Sequence, residues 1–534
     1  MVSALSVVWR AVRRWCQSER SVLGILFSSQ AAAYLVGYWL HPFRPVSPVG
    51  GRGWWGFIDQ GLYLRSTLAW AAGDLSGPSH WYPSLYPMLV AGFVRVTPAN
   101  PFLLPDLALL LAAMWLTGGV AARLAPGWGR ARVAGCATFV ACSVLQPYLL
   151  DVWIVPWTTT PASVLALGCM VAVLDVVTGP ADGMWRRVAV AALCGVGIAA
   201  FRPSEAASVC AVAGVAILLR LLTAWPGRVR GAAVLAAGFG VGGVVAALLL
   251  ALHVVVHGWS LDGYLTYSAR LGFEWRIVPL QWVMIVLDPR PFLSEAPGLV
   301  GRFPWLAPGL AGMVACLLWP PFGGTRARHG VVLAMMAAHM VAYLAYRDLH
   351  IPGLWRYRNL HYFKWILPLF GWYAVLLAVV VVRARWAGVT GVVAAAALLA
   401  WRVETVPAGP GTPATPGQDV ALPAGMTVWD ALVVPAAGSF DPIYQGVHHY
   451  AFPPGGVAIE APGRIVAYAI AGGLVLSPVA PLPPGPGVMR FGAGVKVAAG
   501  ELRPLRLRLV FGVPCWLPRW LGRPSICEDT TRAG

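Results

Sequence analysis

Carboxylates are scarce in this chain: Asp and Glu together number 21 of 534 residues. In a sequence this apolar, each acid near a hydrophobic run needs a partner or a task. Asp59 stands in GFIDQGLYLRSTLAW, residues 56–70. Asp106 follows Pro105 at the start of an apolar run, Asp151 lies in DVWIVPWTTTP between aromatic residues, and Glu205 follows Arg202-Pro203-Ser204. A carboxylate in such a position is suited to proton transfer. The plainer accounts are helix initiation for Asp59 and Asp106 and an ion pair with an arginine for Asp151. Cations gather in the same regions of sequence, at Arg202, Arg347, Arg356, Arg358 and Lys364. Guanidinium forks match phosphate oxygens, so a phosphorylated ligand is one partner for them. Pairing with Glu205, Asp348 or lipid headgroups is the other.

The elements that must position these groups are membrane helices. Hydrophobic residues make up 58% of the chain and charged residues 11%, outside the balance of a soluble domain. Apolar runs long enough to span fall at roughly residues 21–41, 102–124, 131–150, 161–178, 186–201, 204–224, 231–257, 305–320, 329–346, 364–382 and 386–401, about eleven helices. Their arginines alternate. Arg10, Arg13 and Arg14, then Arg123, Arg130 and Arg132, Arg186 and Arg187, Arg228 and Arg230, Arg326 and Arg328, and Arg383 and Arg385 occupy every second connection. By the positive-inside rule these connections are cytoplasmic. The expectation is a multi-pass protein of the inner (plasma) membrane with its N-terminus cytoplasmic, its first helix retained, and its long aromatic loops outside. The net charge of +18 then reflects cytoplasmic loops and contacts with membrane lipids, with no nucleic acid partner.

The first outer loop carries the densest signal. Asp59 begins a stripe of apolar residues suited to a helix lying along the membrane surface. Trp54, Trp55, Trp81, Tyr82 and Tyr86 surround it in sequence, of the kind that line sugar or headgroup sites and also form interfacial belts. Asp59-Gln60-Gly61-Leu62-Tyr63-Leu64, followed by the Tyr-Pro-x-x-Tyr-Pro element from Tyr82 to Pro87, resembles the GT-C superfamily. Arg202-Pro203-Ser204-Glu205 and the segment Arg356-Tyr357-Arg358-Asn359-Leu360-His361-Tyr362 are similar too. These are membrane glycosyltransferases that use polyprenyl-phosphate sugars, such as protein O-mannosyltransferases and aminoarabinose transferases. The resemblance covers roughly residues 20–400.

It implies a GT-C fold of about eleven transmembrane helices with outer juxtamembrane helices, and an inverting transfer from a polyprenyl-phosphate sugar donor to an envelope glycan, lipid or protein acceptor. In that reading Asp59 is the general base and Asp151 an auxiliary. Arg202, Arg356, Arg358, His361 and Lys364 meet the lipid phosphate, and Tyr82 and Tyr86 line the site. The chain departs from the pattern in two places. Protein O-mannosyltransferases commonly show Asp-Glu where this chain has Asp59-Gln60, and the Asp-x-Asp metal motif of the oligosaccharyltransferase branch is missing. No cofactor is therefore indicated, though a divalent metal is compatible.

Residues 1–401 form the expected membrane domain, 402–426 a Pro/Gly linker, and 427–534 a small β-rich exported domain. Cys515 and Cys527 are the only cysteines of that last segment, and a disulfide between them is expected. The other seven, Cys16, Cys136, Cys142, Cys169, Cys194, Cys210 and Cys316, read as small packing residues. No phosphate-binding loop, nucleophile elbow or metal-ligand spacing stands out. The competing class is a transporter or flippase of lipid-linked sugars. It would share the outer cations and aromatics but should show internal repeats and mid-membrane polar sites.

Overall fold

A computed structural model of the chain describes residues 19–48, 53–224, 228–288, 297–349, 354–355, 358–417, 419–437, 444–445, 459–460, 465–470, 473–491 and 495–512. The apolar runs fall on helices, and the run 131–150 is divided between two of them. Seven are long and apolar enough to cross a membrane: Glu19–Leu40, Leu103–Leu124, Thr159–Thr178, Met184–Phe201, Pro203–Thr223, Arg230–His257 and Arg326–Ala345. Ala131–Leu145 and Pro147–Ile154 pass the same test as a pair, bent by 96°. The bend falls at Gln146-Pro147, where the proline removes a backbone donor and turns the preceding residue extended. Leu306–Leu318, Leu367–Arg383 and Arg385–Leu399 are apolar but shorter. This is a multi-pass membrane protein.

The described residues divide into two compact units. The first comprises residues 1–266, 308–339 and 360–392; the second comprises 267–307, 340–359 and 393–534.

In the first unit, small residues let helices approach closely. A Cβ at Gly118 would lie 2.5 Å from Cys136 Sγ, and one at Gly135 would lie 2.5 Å from Ala121 Cβ. Such contacts replace the hydrophobic drive that lipid cannot supply between helices. Gly238 and Gly242 do the same against Val188 and Ala192, at 2.5 and 3.0 Å, whereas Gly243 faces open space. Arg123 and Asp175 tie Leu103–Leu124 to Thr159–Thr178 through a two-pronged ion pair, with N–O distances of 2.7 and 2.6 Å.

The second unit contains the β structure. Trp401–Pro407 pairs antiparallel with Gly500–Phe511, which also pairs with Asp430–Ala437. Gly473–Pro478 and Ile465–Ile470 extend the same sheet. Its core includes Leu432, Val434, Leu474 and Leu476. Strands at Trp401–Pro407, Thr412–Ala414 and Val420–Leu422 lie inside the stretch that reads as a linker. The alternating Val and Thr there find ladder partners that composition alone does not reveal. A short apolar helix, Trp275–Leu287, ends in a π-helical turn with Val283 to Leu287 buried. Cys515 and Cys527 fall outside the described residues.

Candidate active site

The site begins with the Ile58–Ala72 helix. Phe57 precedes it with extended backbone, and Gly73 closes it in the left-handed region at φ 74°, a conformation that costs glycine little. Gly61 lets its first turn press against the Gly53–Gly56 turn, because a Cβ there would sit 2.7 Å from the Trp55 carbonyl oxygen. Gln60 donates from Nε2 to the Pro156 carbonyl at 3.0 Å. Those two contacts fix the rotation of the helix and the direction of Asp59.

Tyr82 donates its hydroxyl to Asp59 Oδ1 at 2.5 Å. The Tyr82 ring lies between Tyr63 and Tyr264, with centroids 4.6 and 4.9 Å away, so the phenol cannot swing off the carboxylate without displacing two neighbours. Withdrawal from water pushes the Asp59 carboxyl above its usual range, while the Tyr82 hydrogen bond and the charge of Arg202 pull it back. Burial, and then Asp59's own negative charge, push the Tyr82 phenol up as well. A raised carboxyl is a stronger base once ionised, which is the property proton abstraction near neutral pH requires.

Arg202 ends the Met184–Phe201 helix and is 3% exposed. It donates from Nη1 to Thr158 Oγ1 at 3.1 Å and pairs through Nε with Glu205 Oε1 at 3.5 Å. Its guanidinium stands over the rings of Tyr362 and Tyr264, at 4.7 and 5.4 Å. A guanidinium so enclosed is held by stacking as much as by charge.

The sequence reading missed the three threonines of TTTP as partners for Arg202, His361 and Lys364. Each holds a different group. Thr158 accepts from Arg202 and stands 3.5 Å from the Tyr63 hydroxyl. Thr159 meets His361 Nδ1 at 3.1 Å. Thr160 accepts from Lys364 Nζ at 2.6 Å. Lys364 also donates to the Val152 carbonyl at 3.1 Å and faces the Trp153 ring at 4.6 Å. His361 stacks on Trp157 with ring centroids 3.9 Å apart. Burial, with Arg202 and Lys364 nearby, depresses its basicity well below the usual range; it is a neutral imidazole. The signal available in sequence was the hydroxyl run itself, since three adjacent buried threonines must each find a partner.

The remaining expected residues are placed as follows. Tyr86 donates to both oxygens of Asp106, at 2.7 and 2.9 Å, and its ring is 6.0 Å from that of Tyr63. Asp151 pairs with His41 Nε2 at 2.9 Å. Arg358 belongs to the second unit and takes φ 59°, an uncommon backbone state for a side chain of that size. Arg356 lies outside the described residues.

The first unit holds a cavity of about 220 Å³. Pro83 and Pro203, the residues directly after Tyr82 and Arg202, line it together with Val196, Ala199, Leu249 and Leu250. The next element clamps the same region. Tyr264 donates its backbone N–H to the Trp81 carbonyl at 3.0 Å, and Gly263 packs so tightly on the Trp81 ring that a Cβ would lie 2.2 Å from it.

No family model and no curated protein matches the chain. Three solved structures overlap it in part. The apo oligosaccharyltransferase of Archaeoglobus fulgidus is 12% identical with a TM-score of 0.38, over 70% of this chain and 52% of that one. Oligosaccharyltransferase AglB of the same organism, in complex with an inhibitory peptide and a dolichol-phosphate, is 11% identical with a TM-score of 0.39, over 71% and 54%. Arabinosyltransferase EmbB of Mycobacterium smegmatis is 14% identical with a TM-score of 0.32, over 94% and 65%. The chain thus spans little more than half the length of the two archaeal structures.

Proposed function

We propose that this protein is a membrane glycosyltransferase of the GT-C type, moving a sugar from a polyprenyl-phosphate donor to a hydroxyl of a cell-envelope acceptor at the outer face of the plasma membrane. The observation that carries the reading is Asp59, fixed by Tyr82 and subject to the charge of Arg202, in the unit that holds an apolar cavity. A base, a cation and an apolar recess are what transfer from a lipid phosphate requires.

In this mechanism Asp59 takes the proton of the acceptor hydroxyl. The acceptor oxygen forms a bond to the sugar's anomeric carbon as the bond from that carbon to the phosphate oxygen breaks, with inversion. The phosphate departs with the electron pair, and Arg202 meets its added charge. Lys364 and neutral His361, anchored on Thr160 and Thr159, supply hydrogen-bond donors. The lipid phosphate is already a fair leaving group, so positioning and electrostatics outweigh acid catalysis. The isoprenoid chain is assigned to the cavity between Pro83 and Pro203.

The test is transfer from synthetic polyprenyl-phosphate sugars by purified wild-type, Asp59→Asn and Arg202→Ala protein. Loss of roughly 10²–10⁴ in rate in Asp59→Asn is expected if it is the base. Full activity in that variant removes it. Movement of lipid-linked sugar across a vesicle membrane without transfer favours a flippase.

A further inference from the structure

We infer that His253, His257 and Asp262 form a binding site for a zinc-class divalent metal ion, separate from the Asp59 and Arg202 constellation. One ligand atom from each of the three lies within 4.8 Å of the others. The two histidines occupy positions i and i+4 at the end of the Arg228–His257 helix, the spacing that puts two imidazoles on one helix face. Asp262 returns from the following turn. Two imidazoles and a carboxylate suit Zn²⁺ and its neighbours rather than Mg²⁺ or Ca²⁺, which prefer oxygen-only sites.

Three further observations fit a metal ion at this place. His253 Nε2 lies 2.8 Å from the Ser260 carbonyl. A carbonyl only accepts, so Nε2 is the donor in this bond and Nδ1 is the nitrogen left to face a ligand. A second-sphere carbonyl fixing the tautomer is the usual accompaniment of a metal-bound histidine. His257 Nε2 is closed off from solvent and meets no hydrogen-bond partner among the described residues, a loss that a coordinated ion would repair. Asp262 is 2% exposed. It accepts from the Leu265 N–H at 2.7 Å through Oδ1. The negative end of the long helix dipole also faces this end of the helix.

Three protein ligands leave a tetrahedral ion one open position, and two of the three, His253 and Asp262, line the apolar cavity. The ion would also fasten the turn that carries Gly263 and Tyr264, and through them Trp81 and Tyr82. The site does not depend on the chain being a glycosyltransferase.

The experiment uses the untagged full chain in detergent, stripped with a chelator and titrated with Co²⁺, whose visible absorption reports tetrahedral nitrogen and oxygen ligands. One Co²⁺ per chain is expected, displaced by Zn²⁺ and not by Mg²⁺. His257→Ala and Asp262→Asn should each weaken binding roughly 10–100-fold or more. A stripped wild-type chain that takes up no Co²⁺ overturns the site whatever the variants do. Uptake undiminished in the double variant overturns it as well.

Discussion

Replacing Tyr82 with Phe removes one oxygen atom and leaves the ring between Tyr63 and Tyr264. The lost hydroxyl is a donor to Asp59 Oδ1. It stabilises the ionised carboxylate, opposing the burial that raises the Asp59 pKa. A hydrogen bond to a charged group contributes about 1.5–3 kcal/mol, and about 1.4 kcal/mol corresponds to one pKa unit. The Asp59 pKa should therefore rise a further one to two units or so in Tyr82→Phe. The direct assay is labelling with a hydrophobic carbodiimide, which reacts with the protonated carboxyl, followed across pH by peptide mass spectrometry. The pH of half-labelling at Asp59 should move up by that amount, and the acid limb of any transfer activity should move up with it. An unmoved or lowered half-labelling pH in a variant of unchanged melting temperature would refute the role given to Tyr82.

Thr158→Val deprives the buried Arg202 Nη1 of its hydroxyl acceptor. It should lower stability by about 1.5–3 kcal/mol, with Thr158→Ser close to wild type, as read by thermal unfolding in detergent. Thr160→Val should behave alike through Lys364, and equal stability of the Val and Ser variants at either site would contradict this. Gly61→Ala places a methyl 2.7 Å from the Trp55 carbonyl; the helix must shift, at a cost of about 1–3 kcal/mol that outweighs the roughly 1 kcal/mol gained in helix propensity. A neutral or stabilised Gly61→Ala protein would show that the first turn is not pinned there. Cys515 and Cys527 are expected to form a disulfide, detected as a mobility change on reduction, and both thiols alkylating in the native protein would exclude it.

The sequence alone determined that much of the chain is apolar helix. Hydropathy acts over a whole run, so these helices were visible without knowing their neighbours, and scarce charges marked Asp59, Arg202 and Lys364 because each is expensive near hydrocarbon. Asp59 at a helix start, beside aromatic residues, was equally local information. The partners were not. That Tyr82 and not Tyr86 reaches Asp59, that Asp151 takes His41, and that Thr158, Thr159 and Thr160 divide Arg202, His361 and Lys364 among them depend on helix rotation and approach. Those are set by contacts such as Gly61 on Trp55 and Gln60 on Pro156. His253 and His257 carry a visible spacing, but only the return of the chain at Asp262 makes it a triad. The strands between Trp401 and Leu422 were hidden for the same reason: a ladder joins residues about a hundred positions apart, and no local pattern encodes which of two distant segments will pair.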